Sequence, residues 1–551
     1  MNQTVRKWQG QWTWVLLGGA LALLCGHAAA QISTTDAPPQ SSDHAPRYTL
    51  SGSVVNSITG EPLRRAVVQV YGNVSATGFS DAEGHFEFSG VAGGTAYVSA
   101  RKPGFFGEQE LSQRVRGVLS QTSVQVGPDS SAVVVRLVPE STITGRVTGD
   151  GEPAETIPVT VFEARIVNGL KTWEQRGAAS TDEDGSFRIA ELMPGTYYVE
   201  FGPYWRWMVV AEGAKAREWG YARTFYPGAA DPESARGLAL AAGQVAETDL
   251  ALKREPFYQV SGTISSALAV QGVSLQFLHL SGETDSFPLS YNVETGKFQT
   301  RVMAGTYTLR ARGFAEGATS MADFPLTVSG DVSGIHLLLG PPASIPVSLT
   351  MKSVSGRDNA ATRGGPTLPL TVHLMAQSVS LTGGVAGSIL ESEGKPPRYF
   401  FRRIEPGRYS LEGFPSPPWY VASAQSGGID LLRDYLVVAP GAQPEPIEIV
   451  MRDDSATLSG SISGDTAAAD GMVLLIPERA PRRVQVRPAG TSFEFAGLPP
   501  GGYSVLAVEH VDDIEYLNPE AMAPYLSQAK SVTLQPSQTT SIALELTRVG
   551  P

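Results

Sequence analysis

Apolar residues along this chain fall mostly in short runs separated by Gly, Pro and Asp. Some runs alternate with polar positions, as in "SIALELT" (Ser541–Thr547), and others are continuous, as in "AVVVRLV" (Ala132–Val138). Alternation with a period of two, or a short apolar run bounded by turn residues, is the signature of a β-strand; the 3.6-residue spacing of an amphipathic helix is scarce. The stretch "GSFRIAELMPGTYYVEF" (Gly185–Phe201) writes a strand, a tight turn and a second strand in succession.

That phrase recurs as "GHFEFSGVAGGTAYVSA" from Gly84, "GKFQTRVMAGTYTLRA" from Gly296, "RYFFRRIEPGRYSLEG" from Arg398 and "TSFEFAGLPPGGYSVLA" from Thr491. Copies spaced by roughly 100 residues predict five similar units. Each has an aromatic (Phe86, Phe187, Phe298, Phe400, Phe493), then an aliphatic (Val91, Leu192, Val302, Ile404, Leu498), a turn and a tyrosine (Tyr97, Tyr197, Tyr307, Tyr409, Tyr503). In three copies the turn is Pro-Gly, at Pro194-Gly195, Pro406-Gly407 and Pro500-Gly501. This predicts a type II turn, with proline presetting φ and glycine taking positive φ. The tyrosines predict tyrosine corners, in which the ring enters the core and the hydroxyl bonds back to the preceding loop.

A second phrase opens four units: "LSGSV" (Leu50–Val54), "ITGRV" (Ile143–Val147), "VSGTI" (Val260–Ile264) and "LSGSI" (Leu458–Ile462). Its glycine predicts a bulge or a close approach in the first strand. The fourth unit, from "SIPVSL" (Ser344–Leu349), lacks that glycine and is the most diverged. Apolar strands close each unit, and residues 516–526, "YLNPEAMAPYL", predict the single short helix, with Pro519 near its start. Linkers such as "VPES" (Val138–Ser141) and "KREP" (Lys253–Pro256) are short, which predicts a bent rod of units.

Length agrees with this count, because 551 residues exceed one hydrophobic core and suit four or five domains. The N-terminus departs from the pattern. Arg6 and Lys7 precede an apolar run from Trp12 to Cys25 and then Ala28, Ala29 and Ala30, which predicts a secretory signal peptide cut after Ala30. The run is short for a membrane span and contains Gly18 and Gly19, and Leu24 stands where a lipoprotein signal has a small residue. Cys25 is the only cysteine, so beyond residue 30 there is neither disulfide nor thiol chemistry. That portion carries 40 Lys and Arg against 54 Asp and Glu, a formal charge of −14. Such a balance excludes nucleic acid and anionic lipid as expected partners, and no later stretch is apolar enough for a transmembrane helix.

The phrases "YTLSGSVVNSITGEPLRRAVVQVYG" (Tyr48–Gly72) and "SDAEGHFEFSGVAGGTAYVSARKPGF" (Ser80–Phe105) resemble the carboxypeptidase regulatory-like domain. The likeness is strongest over 48–138, good over 139–254 and weaker beyond. It implies an all-β fold of about five tandem Ig-like or prealbumin-like β-sandwich domains. The expected division is 1–30 signal peptide, 31–47 linker, then sandwiches at 48–138, 139–254 (with an aromatic insertion), 255–340, 341–452 (diverged) and 453–551 (with the short helix). The fold is also grouped with carbohydrate-binding-like sandwiches, which is an analogy of shape. The closing strands lack the Asn that a self-made Lys–Asn amide link would use, so none is expected.

Catalytic patterns are missing. The carboxypeptidases that carry this domain cut with a separate zinc domain, yet His44, His85, His279, His336, His373 and His510 form neither H-x-x-E nor H-E-x-x-H. No nucleophile elbow or phosphate-binding Gly pattern occurs in a fitting context. "TDEDG" (Thr181–Gly185) offers oxygen donors for calcium but lacks the further ligands of a Ca²⁺ loop, and reads as a solvated turn. No enzyme activity, metal or cofactor is therefore expected.

One feature stands above this background: Tyr204, Trp205, Trp207, Trp219, Tyr221, Phe225 and Tyr226 crowd one excursion of the second unit. Flat apolar faces with a polar edge suit a stacking platform for sugar rings or peptide aromatics. Equally, the excursion could fold back and plug one end of its own sandwich. The expected function is a non-catalytic exported scaffold in the periplasm, at the outer cell surface or outside the cell, binding envelope or extracellular protein. The alternative is carbohydrate binding through the aromatic excursion.

Overall fold

A computed structural model describes residues 46–547, apart from 73–74, 213–214, 267–268, 280–283, 316–317, 355–369, 377–386, 440 and 464–470. The expected signal peptide and nearly all of the 31–47 linker lie outside the described residues. Among the described residues strands dominate, and α-helix is confined to Glu108–Gln113 and Pro519–Leu526. The second helix is the expected one, opened by Asn518 accepting from the Glu520 N–H, with Pro519 in its first turn. The first was not legible, being six residues with no buried side chain. No described helix is long and apolar enough to cross a membrane.

The first unit sets the plan. One sheet runs in the order His85–Ala92, Arg47–Asn56, Val133–Pro139, Phe105–Phe106; the other runs Ala76–Phe79, Val67–Tyr71, Gly94–Arg101, Thr122–Val126. Leu50 and Val54 from the first sheet meet Val68, Val70 and Val98 from the second in one core. This is the β-sandwich solution, in which each sheet hides one face against the other.

Every repeat reuses one device. The opening strand lies between the antiparallel strand that carries the repeated aromatic and a parallel closing strand. In the first unit Gly52 pairs with Phe86 on one side and Val133 on the other. The counterparts are Gly145 with Phe187, Gly262 with Phe298, and Gly460 with Phe493 and Ile542. The diverged unit does the same at Val347, between Tyr399 and Ile447. The large apolar clusters follow these segments, spanning Leu50–Leu137, Ile143–Leu252, Val260–Leu339, Ala343–Met451 and Ala456–Leu544.

Of the two roles expected for the opening glycine, close approach is the one observed throughout. A Cβ on Gly52 would overlap the Val133 carbonyl oxygen and the Phe86 ring; Gly460 stands in the same way against the Ile542 oxygen and Phe493. Glycine is required because the parallel neighbour's backbone and the aromatic occupy the volume a side chain would need.

The expected type II Pro-Gly turns are corrected. Gly195 and Gly407 do not take positive φ, and Gly501 does, at φ +153, which is far from the about +80° of a type II turn; further left-handed residues lie earlier, at Gly90, Glu191, Arg403 and Gly497, each immediately before the repeated aliphatic. There the pairing with the opening strand slips, for example between Ile189 and Leu192. The kink is a β-bulge in the strand, which adds the twist that carries the chain into the turn.

The tyrosine corners form in four units. The hydroxyls of Tyr197, Tyr307, Tyr409 and Tyr503 donate to the carbonyl oxygens of Met193 (2.6 Å), Met303 (3.2 Å), Glu405 (2.7 Å) and Pro499 (2.5 Å). Tyr97 is the exception, at 44% exposed, and Ala96 takes the inward position. In the other units tyrosine is the second residue after the turn glycine, whereas Tyr97 is the third after Gly94. In a strand a one-residue offset moves a side chain to the opposite face.

The bent-rod expectation is corrected as well. The Leu517 N–H donates to the Gly169 carbonyl oxygen at 3.0 Å, bringing the fifth unit back against the second.

Candidate functional site

The aromatic excursion begins as a hairpin of strands Tyr204–Glu212 and Lys215–Tyr221, in which Tyr204 opposes Tyr221 and Met208 opposes Trp219. Between Tyr204 and Met208 the register shifts, and Trp205 and Trp207 stand in that irregular stretch. The hairpin leaves its own sandwich: Trp219, Gly220 and Tyr221 pair with Pro256, Glu255 and Arg254 of the strand Arg254–Ser266, which opens the third unit. It thereby extends that unit's sheet by two strands.

The aromatic side chains then part company. Those of Tyr204, Trp205 and Trp207 lie outside the described residues. Trp219 is half-buried. The Tyr221 phenol fills the space over Gly149, where a Cβ would collide with it. Tyr221 and Tyr226 pack partly on the second unit's core, and Phe225 is buried with Phe162 and Trp173. The excursion thus serves two bodies, its tail packing on the second sandwich and its hairpin reaching the third.

At this joint sits a buried charge cluster that the sequence did not reveal. Arg223 donates to Glu200 of the second unit at 3.2 Å and to Asp285 of the third at 2.6 Å. His279 Nε2 lies 2.7 Å from the other Asp285 oxygen, and its ring is 4.9 Å from that of Tyr307. Side-chain exposure is 14% for Arg223, 7% for Glu200 and 5% for Asp285, so water screens these charges little. Burial alone would raise the Asp285 carboxyl, but the hydrogen bond from His279 and the Arg223 charge outweigh it and hold it below its ordinary value. His279 reads in sequence as an isolated strand histidine, because its partner Asp285 stands on the short neighbouring strand Thr284–Asp285 and the arginine that completes the cluster reaches in from another unit.

Other joints follow the same logic. Arg114, left-handed at the end of the helix Glu108–Gln113, donates to the Pro194 carbonyl at 3.0 Å and pairs with buried Glu163, which also takes Arg176 at 2.7 Å. Arg483 of the fifth unit donates to the carbonyls of Leu411, Leu431 and Leu432 in the fourth, and burial holds its pKa below the ordinary value. Arg408 and Arg482, one from each of those units, both stack on Tyr435, at 4.5 and 4.3 Å from the ring centre.

The "TDEDG" segment behaves as a turn: Asp182 accepts from the Asp184 and Ser186 N–H groups, as Asp81 does from Glu83 and His85 in the first unit. Among the described residues no group of three His, Cys, Asp or Glu is placed to hold a metal.

With this geometry in hand, comparison with known proteins is direct for one segment. Residues 49–136 match the carboxypeptidase regulatory-like domain. The chain is a repeat β-sandwich protein that begins, over its described part, with this regulatory-like unit. No curated protein sequence matches it. Among solved structures it is similar to the minor pilin GBS52 of Streptococcus agalactiae, at 14% identity and TM-score 0.20, over 38% of this chain and 97% of that one. It is similar to the pilus adhesin SpaC of Lactobacillus rhamnosus GG at 10% identity and TM-score 0.20, over 54% and 44% of the two chains. The TIE protein of Bacillus anthracis gives 12% identity and TM-score 0.17, over 54% of this chain and half of its own length.

Proposed function

We propose that this protein is a non-catalytic, exported scaffold of five β-sandwich units, divided at 48–138, 139–254, 255–340, 341–452 and 453–551, that presents a surface to envelope or extracellular proteins. The observation that carries this reading is the use made of buried charge. Glu163 and Asp285 are each tied to an arginine across a joint between units, and Glu200 braces the second of those arginines, Arg223, from within its own unit. Groups that an enzyme would keep accessible for proton transfer serve here to orient one sandwich on the next. Fractionation of the producing cells, with crosslinking and pulldown of the exported fraction, tests it. Export together with captured envelope or extracellular proteins is expected; a cytoplasmic, partnerless protein overturns it.

The carbohydrate reading keeps a narrower basis. Tyr204 and Tyr221 are cross-strand partners, and Trp219 on the same hairpin is half-buried rather than sealed. A platform would then comprise Tyr204, Trp205, Trp207 and Trp219, with Tyr221 and Tyr226 supporting it from the core. Calorimetry against a glycan panel should detect binding that Trp205→Ala and Trp207→Ala weaken at least tenfold. No binding to any glycan removes this reading without touching the first.

A further inference from the structure

Consecutive units are held by joints of unequal strength. Units two and three share three backbone pairing positions, from Trp219–Pro256 to Tyr221–Arg254, and the Arg223–Asp285 ion pair. Units three and four are continuous through the closing strand Val332–Leu339 and the opening strand Ala343–Lys352, and Arg312 lies 3.6 Å from Glu405. Units four and five are pinned by Arg483. The contact that returns unit five to unit two rests on less. The Tyr516 ring covers Gly169, the Leu517 N–H bonds to the Gly169 oxygen, and the turn Val511–Asp513 approaches the strand Pro158–Val167. Gly169 lies at φ +77 in the turn between Val167 and Leu170, which are each 45% exposed.

From this we propose that units two to five form a closed ring whose only releasable joint is the Gly169–Tyr516 clasp, so that the chain exchanges between a closed ring and an open arc. The inference stands apart from the scaffold role, since a ring can open whatever it binds. The joints of units two with three and four with five are made of paired strands, a buried ion pair or a buried arginine, and these do not part without exposing unpaired backbone or unpaired charge, while units three and four stay tethered by the short link between their closing and opening strands. Among the described residues the fourth joint exposes on opening one backbone pair, one amphipathic ring and the turn Val511–Asp513 that lies by the strand Pro158–Val167, all of which water can serve. Glycine at 169 is what permits the clasp. Its Cβ would stand inside the Tyr516 ring, and its positive φ points the carbonyl at unit five.

The test uses the full chain with Cys25→Ser and spin labels at Gln175→Cys and Ala523→Cys, exposed positions on unit two and on the unit-five helix that take no part in the clasp. Pulsed electron-electron resonance should give a narrow short distance with a minor broad long one. Tyr516→Ala should move most of the population, a tenfold change in the ratio or more, to the long distance. Gly169→Asn should do the same from the other side, because Asn tolerates positive φ while adding the colliding Cβ. Dilution into unlabelled chain separates a ring from a contact between copies. A short distance that persists in both variants, a long distance alone in the parent, or a short distance lost on dilution overturns the clasp. Export and pulldown of the same variants read the scaffold role independently.

Discussion

The Tyr197 hydroxyl donates to the Met193 carbonyl oxygen at 2.6 Å while its ring, 1% exposed, sits in the core of the second sandwich. One residue thereby packs the centre of a unit and ties down the loop that leads into its own strand. The arrangement recurs wherever tyrosine stands two residues after the turn glycine.

Tyr197→Phe removes only the bond and is expected to cost about 1 kcal/mol. Tyr197→Ala also opens a cavity and should cost about 3–5 kcal/mol. Tyr97→Ala, on the outer face of its strand, should stay within about 0.5 kcal/mol. Denaturant unfolding of the three variants checks the order.

Gly145→Ala would drive a Cβ into the Thr248 carbonyl and the Phe187 ring, and overpacking of this kind costs about 1–3 kcal/mol. Gly272→Ala is the control, because its Cβ would meet nothing and its φ is unremarkable. Calorimetry should find the first variant's melting lowered and the second's unchanged or slightly raised.

Arg223→Ala leaves Asp285 without its arginine in a site where water reaches little, and is expected to cost about 3–5 kcal/mol. The Asp285 carboxyl has a depressed pKa in the folded chain, so its stabilisation is present above the unfolded value of 3.8 and is lost as pH falls through the folded value. With Arg223 gone the folded value rises, and acid unfolding should begin at higher pH. Fluorescence-monitored acid titration of the parent and the variant reads that displacement.

Burial raises the corner tyrosines: Tyr409 is pushed up to about 12, and Tyr197, Tyr307 and Tyr503 move in the same direction. A raised folded pKa gives stability that is complete below the unfolded value of 10.0 and disappears as pH climbs through the folded value. Melting temperature should therefore fall between pH 10 and 12, and tyrosinate absorbance should show a late fraction ionising with unfolding. Tyr409→Phe, which has no proton to lose, should reduce that late fraction.

The aromatic excursion marks where sequence reading stops. Trp205, Trp207 and Trp219 stand out as a cluster, but composition cannot say that the hairpin bearing them joins the next unit's sheet. That choice rests on backbone hydrogen bonds to Glu255 and its neighbours, which carry no side-chain signature. Arg223, Asp285 and His279 were invisible for a related reason: each is an ordinary surface residue type until two sandwiches meet around it.

The sequence by itself determined the all-β class, the recurrence of one sandwich plan, the glycine of each opening strand that has one, and four of the five corners. These are local requirements, set by side-chain periodicity, by missing Cβ volume and by where a phenol can reach. Only the tertiary structure decided that the bulge precedes the aliphatic rather than the turn, that Tyr97 faces outward, and that the fifth unit returns to the second. Those outcomes depend on register and on contacts between residues hundreds of positions apart, and no local pattern of apolar and polar residues encodes either.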